Sequence, residues 1–477
     1  MSSIKSNYIY SVAYQLLSII VPIFTIPYVS RIFGAEGLGI YSYTASISQY
    51  FVLFAMLGLN NYGVRTIAMV RNDKVLLSKT FSEIWTMQLG VSIVVLVLYI
   101  CFTLLWGGVY KIYFLIQILL VASTLIDINW FFFGIEKFRL TVLRNSVIKI
   151  LSLISIFLLI HSSDDLWLYI LIQSLSTLTS AFVLWPIALS SIHFTIPVFT
   201  DIVKHIKPNL IMFIPVIAIS VYKYMDKIML GTFSIEQTGY FENAEKILTV
   251  ILGLVTALGT VMLPRMSNLI ANNQRETAEK YFVTSMNFIM FLSVGISAGM
   301  YAVSDSFVPV FFGKGFEPCV GIMQLLGVSA IFSSWANVVR TQFLIPNHKD
   351  KVYVISVILG AVLNFLGNIF LIKKYGAMGA VCSTIIAEST VALVQTIASF
   401  KDLPYLKIFN NTFVLICIGL IAVCITEVVK SLIQMSGIEG LFITVVVVSF
   451  IYLIICFICN YIRHRSLQTF VLEKNHR

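Results

Sequence analysis

The stretch LFITVVVVSFIYLIICFICNYI, residues 441–462, holds no Asp, Glu, Lys or Arg. As a helix rising 1.5 Å per residue it is roughly 33 Å long. The hydrocarbon core of a bilayer is about 30 Å thick, so the stretch is long enough and apolar enough to cross one. Outward from it, runs of the same kind recur along the chain. They lie at about 8–33, 40–63, 81–106, 112–133, 140–160, 166–189, 208–230, 239–263, 281–303, 318–342, 351–372, 378–400 and 410–430. With 441–462 they predict an all-α integral membrane protein of about fourteen transmembrane helices. The connections are too short to hold a soluble domain.

Composition agrees. Of the 477 residues, 58% are hydrophobic and 11% charged, where a soluble domain is about a quarter charged. The first run, broken by Pro22 and Pro27 and without a small-residue cleavage site, is expected to remain as a helix rather than act as a cleaved signal. Six of the seven cysteines lie in apolar runs and only Cys319 sits near a loop. They are expected to pack as small hydrophobes, and Cys456 and Cys459, a C-x-x-C without a second pair, imply neither a metal site nor a disulfide framework.

Lys and Arg set the orientation. Of 32, twenty-three fall at the termini and in the loops that share their side, from Lys5, Arg65 and Lys79 to Arg463 and Arg477; seven fall opposite, and Lys223 and Lys246 lie within spans. Both termini are therefore expected in the cytoplasm. The same bias accounts for most of the net charge of +10 without a nucleic-acid partner.

The chain repeats itself. Ser30-Arg31-Ile32-Phe33, then Glu36, Gly39, Ile40 and Tyr41, is matched by Asp226-Lys227-Ile228-Met229, then Glu236, Gly239, Tyr240 and Phe241. The offset after the loop is 200 residues and holds to Arg65 and Arg265. One reading divides the chain into an N-lobe of six helices, 1–190, a C-lobe of six, 191–402, and two further helices with a tail, 403–477; the other is chance similarity between apolar helices, against which the matched Glu, Gly and Arg residues argue. An even number of helices per repeat makes the repeat parallel, with its axis along the membrane normal.

Polar residues in the spans mark a candidate site, because an ionisable group in lipid costs about 2.5–3.5 kcal/mol unless it faces a cavity or a partner. Ser42, Ala45, Ser46 and Gln49 share one helix face, and their repeat mates are Glu242, Glu245, Lys246 and Thr249. Lys223, Asp226 and Lys227 lie on the preceding helix. One reading is a hydrated cavity with cations at Arg31, Lys223 and Lys246; the other is a set of internal ion pairs, with Lys227 and Arg31 snorkelling at helix ends. Asp127 and Glu388 are lone acids in apolar helices, either ion sites or buried acids bonded to a neighbouring Ser or Asn. Asn364 and Asn368 read as helix–helix hydrogen bonds, and Gly295 and Gly299 as a packing motif. No nucleotide-binding loop, zinc-protease motif or nucleophile elbow occurs, and no enzyme is expected.

Taken as a set, several motifs resemble the polysaccharide-biosynthesis flippases of the Wzx type. They are Asp226-Lys227-Ile228-Met229-Leu230-Gly231, Gly239-Tyr240-Phe241 with Ala244 and Lys246-Ile247, and Pro264-Arg265-Met266-Ser267. At the start stand Pro27, Arg31-Ile32-Phe33-Gly34, Gly37, Gly39 and Leu57-Gly58-Leu59, and at the twelfth span Tyr375-Gly376-Ala377-Met378-Gly379-Ala380. The larger superfamily also holds the multidrug-and-toxin extruders and the lipid II flippases. The resemblance implies two six-helix lobes around a central cavity, and transfer of an undecaprenyl-pyrophosphate-linked oligosaccharide across the bacterial cytoplasmic membrane by alternating access. It implies a polysaccharide polymerase and other assembly proteins as partners. A pyrophosphate headgroup fits the cations Arg31, Lys223 and Lys246. No cofactor or metal is expected. Coupling to a proton or sodium gradient or to the membrane potential stays open, with Ser46, Gln49, Asp127, Asp226, Glu242, Glu245 and Glu388 as candidates. A drug or cation antiporter on the same fold and a polytopic glycosyl polymerase are the alternatives.

Overall fold

The computed structural model describes residues 2–433 and 437–474, and each of the expected spans falls on helix. No strand occurs among the described residues; Arg477, counted in the charge bias, lies outside them. Among the described residues, twelve helices are long and apolar enough to cross a membrane, or thirteen when one bent pair is taken as a span. The first of the twelve, Ile20–Val70, carries both the end of 8–33 and the whole of 40–63. Within helix Ser2–Met56 the backbone breaks at Gly34, with φ +62° and ψ −172°. That conformation is open to glycine and costly for other residues, so Gly34 divides the first two spans.

The chain forms two compact units, Met1–Glu242 and Asn243–Arg477. In the first unit, Asp73 caps helix Lys74–Trp106 by accepting from the N–H groups of Val75 and Leu76 at 2.9 and 3.0 Å. The fourth expected span, 112–133, is not one rod. Gly108–Ile116 and Ile118–Leu125 meet at 42°, and Asn129–Gly134 follows as a separate short helix. No proline or glycine stands between Lys111 and Leu125. The break sits at Gln117, whose side chain is drawn into a buried polar knot. Gln117 Oε1 accepts from Ser48 Oγ at 2.5 Å, its Nε2 donates to Thr44 Oγ1 at 2.9 Å, and Ser48 also pairs with Tyr99 Oη at 2.8 Å. An aromatic core of Phe81, Trp130, Phe131 and Phe132 lies near by, with the Trp130 indole N–H on Gln88 Oε1 at 2.9 Å.

In the second unit, glycines let helices approach. A Cβ on Gly379 would overlap the Leu371 carbonyl, and one on Gly295 would meet the Tyr452 ring at 2.9 Å. Gly299, its partner in the sequence motif, faces open space, so half of the motif packs. The hydrogen bond between Asn368 Nδ2 and Asn364 Oδ1, 3.3 Å, runs within one helix. Of the cysteines, Cys319 is buried, whereas Cys101 and Cys424 are exposed on apolar helices. The expectation that they would be buried fails for those two, because a helix face turned to lipid is as apolar as a core.

Candidate functional site

The second half of helix Ser2–Met56 carries polar residues on two opposite faces. Thr44 and Ser48 turn to the Gln117 knot. Ser42 and Ser46, about 40° apart on the helix, are buried on the other side. Ser42 Oγ donates to Glu242 Oε2 at 3.0 Å, and Lys227 Nζ donates to the same oxygen at 2.8 Å. Lys227 and Glu242 are each 8% exposed. Lys227 therefore does not snorkel; it neutralises a buried carboxylate 15 residues away, across the turn between helices Asp226–Phe233 and Ile235–Ala271.

The Ser42–Glu242 contact joins two positions 200 residues apart, the offset of the expected repeat, and beside it two glycine contacts mirror each other. A Cβ on Gly39 would overlap the Ile235 carbonyl; a Cβ on Gly239 would overlap the Ala35 carbonyl. Shifting either contact by 200 residues and exchanging its partners gives the other. This is the reciprocity of a two-fold contact between like elements, made here within one chain. Glycine is required on both sides because the obstacle is backbone, which cannot rotate away. Gly231 adds to the tight seam, where a Cβ would overlap the Tyr43 ring.

Tyr50 and Tyr224 meet edge to face at 5.9 Å, and Lys223 Nζ stands 5.4 Å over the Tyr224 ring. Lys223 lies on a π-helical turn, Val221–Met225, that follows the proline-containing helix Ile206–Ser220, and π turns are frequent at functional sites. Lys223 and Arg31 are exposed, Asp226 is buried, and Gln49, Glu245 and Lys246 are half-buried. The tyrosines were not marked by the sequence, since an aromatic in an apolar run carries no polar signal.

The lone acids are held locally. Asp127 Oδ1 accepts from the backbone N–H of Asn129 at 2.9 Å and its side-chain amide at 2.7 Å, at the start of helix Asn129–Gly134. Asn129 in turn accepts from Arg144 Nη2 at 2.9 Å. Glu388, in the second unit, lies near Ser333 and Arg340. The second unit also holds an apolar cavity of about 790 Å³, walled by residues including Val294, Ile331, Trp335, Phe409 and Leu420.

The model of the family described as polysaccharide biosynthesis protein matches residues 4–270. The chain belongs to that family. Among its relatives, the putative O-antigen transporter of Shigella dysenteriae is 24% identical over 384 residues, 78% of this chain and 94% of that protein. The putative O-antigen transporter of Escherichia coli is 22% identical over 402 residues, 82% of this chain and 95% of that one. Among solved structures, a lipid II flippase MurJ in an inward closed conformation superposes with a TM-score of 0.74 at 16% identity, covering 97% of this chain and 99% of that one. The fold of this family member is thus the fold of that flippase, and the chain is a multi-pass membrane protein.

Proposed function

We propose that this polysaccharide-biosynthesis family member is a flippase that carries an undecaprenyl-pyrophosphate-linked oligosaccharide from the cytoplasmic to the outer leaflet of a bacterial cytoplasmic membrane, for assembly of a capsule, O-antigen or exopolysaccharide. Membership of the family, over more than half of the chain, is the observation that carries this reading. Three features of the molecule suit it. Exposed Arg31 and Lys223 and half-buried Lys246 supply cations for a pyrophosphate. Tyr50 and Tyr224 offer aromatic faces beside Lys223, of the kind on which sugar rings pack. The apolar cavity of about 790 Å³ has the chemistry of a polyprenyl chain. The seam at Gly39 and Gly239 is a closed contact that alternating access would open. In this proposal the protein transports and does not catalyse, works as two six-helix lobes with both termini in the cytoplasm, and hands its product to a polymerase. An ion gradient or the membrane potential drives it, with the membrane-embedded acids as coupling candidates.

Deletion tests the reading. Surface glycan should be lost, and lipid-linked oligosaccharide should accumulate on the cytoplasmic side. Normal surface glycan with sensitivity only to cationic drugs would favour an antiporter instead.

A further inference from the structure

Residues 192–198 lead from the sixth span towards the seventh without forming helix. The backbone N–H groups of His193 and Thr195 donate to Ser78 Oγ at 3.1 Å and Ser82 Oγ at 3.0 Å. Donors two residues apart that face one way belong to extended chain. Each serine also donates its own hydrogen one turn back, to the carbonyls of Lys74 and Ser78. The first turns of helix Lys74–Trp106 thus carry two acceptors for a strap laid along them. The strap is held at both ends. Ile192 is buried in the aromatic core, and the Phe194 ring meets Trp85 edge to face at 5.4 Å. At the far end, helix Phe199–Val203 is tied by Asp201, which pairs with Lys79 at 3.2 Å and Lys204 at 3.4 Å.

Between these ties the strap turns an apolar edge outward. Ile196 is 92% exposed, Phe199 75% and Val198 64%, and an exposed apolar patch marks an interaction surface. Its depth says what covers it. Residues 84–106 hold no Asp, Glu, Lys or Arg. As helix they are about 34 Å long, enough to fill a hydrocarbon core of about 30 Å. Lys74, Lys79 and Glu83 precede them. Ser78 and Ser82 therefore stand in the headgroup layer, and the strap bonded to them lies at that depth. Trp85, beside Phe194, sits at the level where tryptophan is enriched. Non-helical backbone facing lipid cannot enter the hydrocarbon, because its carbonyls would lose water. At headgroup depth the carbonyls keep their water while the side chains reach inward.

We propose that residues 196–199 form a membrane-surface anchor, in which Ile196, Val198 and Phe199 insert at the boundary between headgroups and acyl chains. The partner is lipid rather than a second protein, since exposed apolar side chains continue from the strap into the next span at Leu210 and Ile211, where the bilayer is the solvent. The anchor holds the start of helix Ile206–Ser220 at a fixed depth, so the connection moves along the membrane surface and not away from it.

A fluorophore on a single cysteine tests this, at Ile196→Cys, at Phe199→Cys and, for reference, at Asn72→Cys, an exposed position just before the same helix. The full-length protein, otherwise without cysteine, is reconstituted in vesicles of phosphatidylethanolamine and phosphatidylglycerol with iodide on both sides. No glycan is needed, so the outcome does not depend on the transport proposal. Iodide should quench the label at Asn72 strongly and the other two several-fold less. Lipids with a nitroxide just below the headgroup should quench the labels at 196 and 199 more than lipids with it at the chain end. Ile196→Glu together with Val198→Glu, both at exposed positions, should restore iodide quenching of the label at 199. The anchor is overturned if iodide quenches all three labels alike, or if the chain-end nitroxide quenches more. It is overturned too if the labels at 196 and 199 are shielded from iodide and nitroxide lipids together, since protein would then cover the strap. Should the double glutamate variant fail to fold, the three labels in the parent chain decide.

Discussion

At the scale of single residues, the seam at Gly39 and Gly239 makes the sharpest prediction. Gly39→Ala and Gly239→Ala should each destabilise the protein, and by similar amounts, because each methyl group would strike the equivalent carbonyl. Overpacking of this kind costs about 1–3 kcal/mol. Gly90→Ala, whose methyl group would meet nothing within 4 Å, should be neutral or slightly stabilising, as alanine favours helix. Thermal midpoints of the three purified variants check this; equal midpoints would mean that the seam is not held so closely. Lys227→Ala breaks a buried ion pair and should cost about 3–5 kcal/mol, and Glu242→Gln added to it should recover much of the loss. Lys246→Ala should instead leave abundance near normal and lower glycan export, with Lys246→Arg a partial rescue. Loss of abundance with Lys246→Ala would make that lysine structural and remove it from the proposed headgroup site.

At the scale of elements, the spans were legible because lipid imposes a length and an apolarity that a sequence cannot hide. The polar stripe at Ser42, Ser46 and Gln49 was legible from helical spacing, and its likeness to the stripe at Glu242 from the repeat. The ion pair inside that stripe was not. Lys227 reaches Glu242 across a turn, where helical periodicity gives no register, and only a fold brings the two together. The break at Gln117 was equally hidden, since no glycine or proline announces it. It follows from satisfying a buried amide against Thr44 and Ser48, partners that lie about 70 residues away. Gln117→Leu should therefore destabilise the first unit by about 1–3 kcal/mol, the cost of orphaned buried polar groups. A midpoint unchanged by Gln117→Leu would show that the knot does not set the break.

At the scale of the whole molecule, the family and the apolar helices make this a multi-pass membrane protein, and the charge bias carries the expectation that both termini are cytoplasmic. A cysteine placed at Ser163 should react with an impermeant thiol reagent added to intact cells, and one placed at Arg275 should not; the opposite pattern would invert the topology. The claim on which the functional account turns is that this chain moves a lipid-linked oligosaccharide between leaflets. The direct measurement reconstitutes the purified protein in vesicles carrying the labelled, undecaprenyl-pyrophosphate-linked repeat unit, with an impermeant glycosidase outside. Protein-free vesicles should shield the inner-leaflet share of the glycan. With the protein present, nearly all of it should become cleavable, and Lys246→Ala should slow that exposure. An inner-leaflet share that stays shielded in the presence of folded protein and an imposed ion gradient or membrane potential would contradict the account.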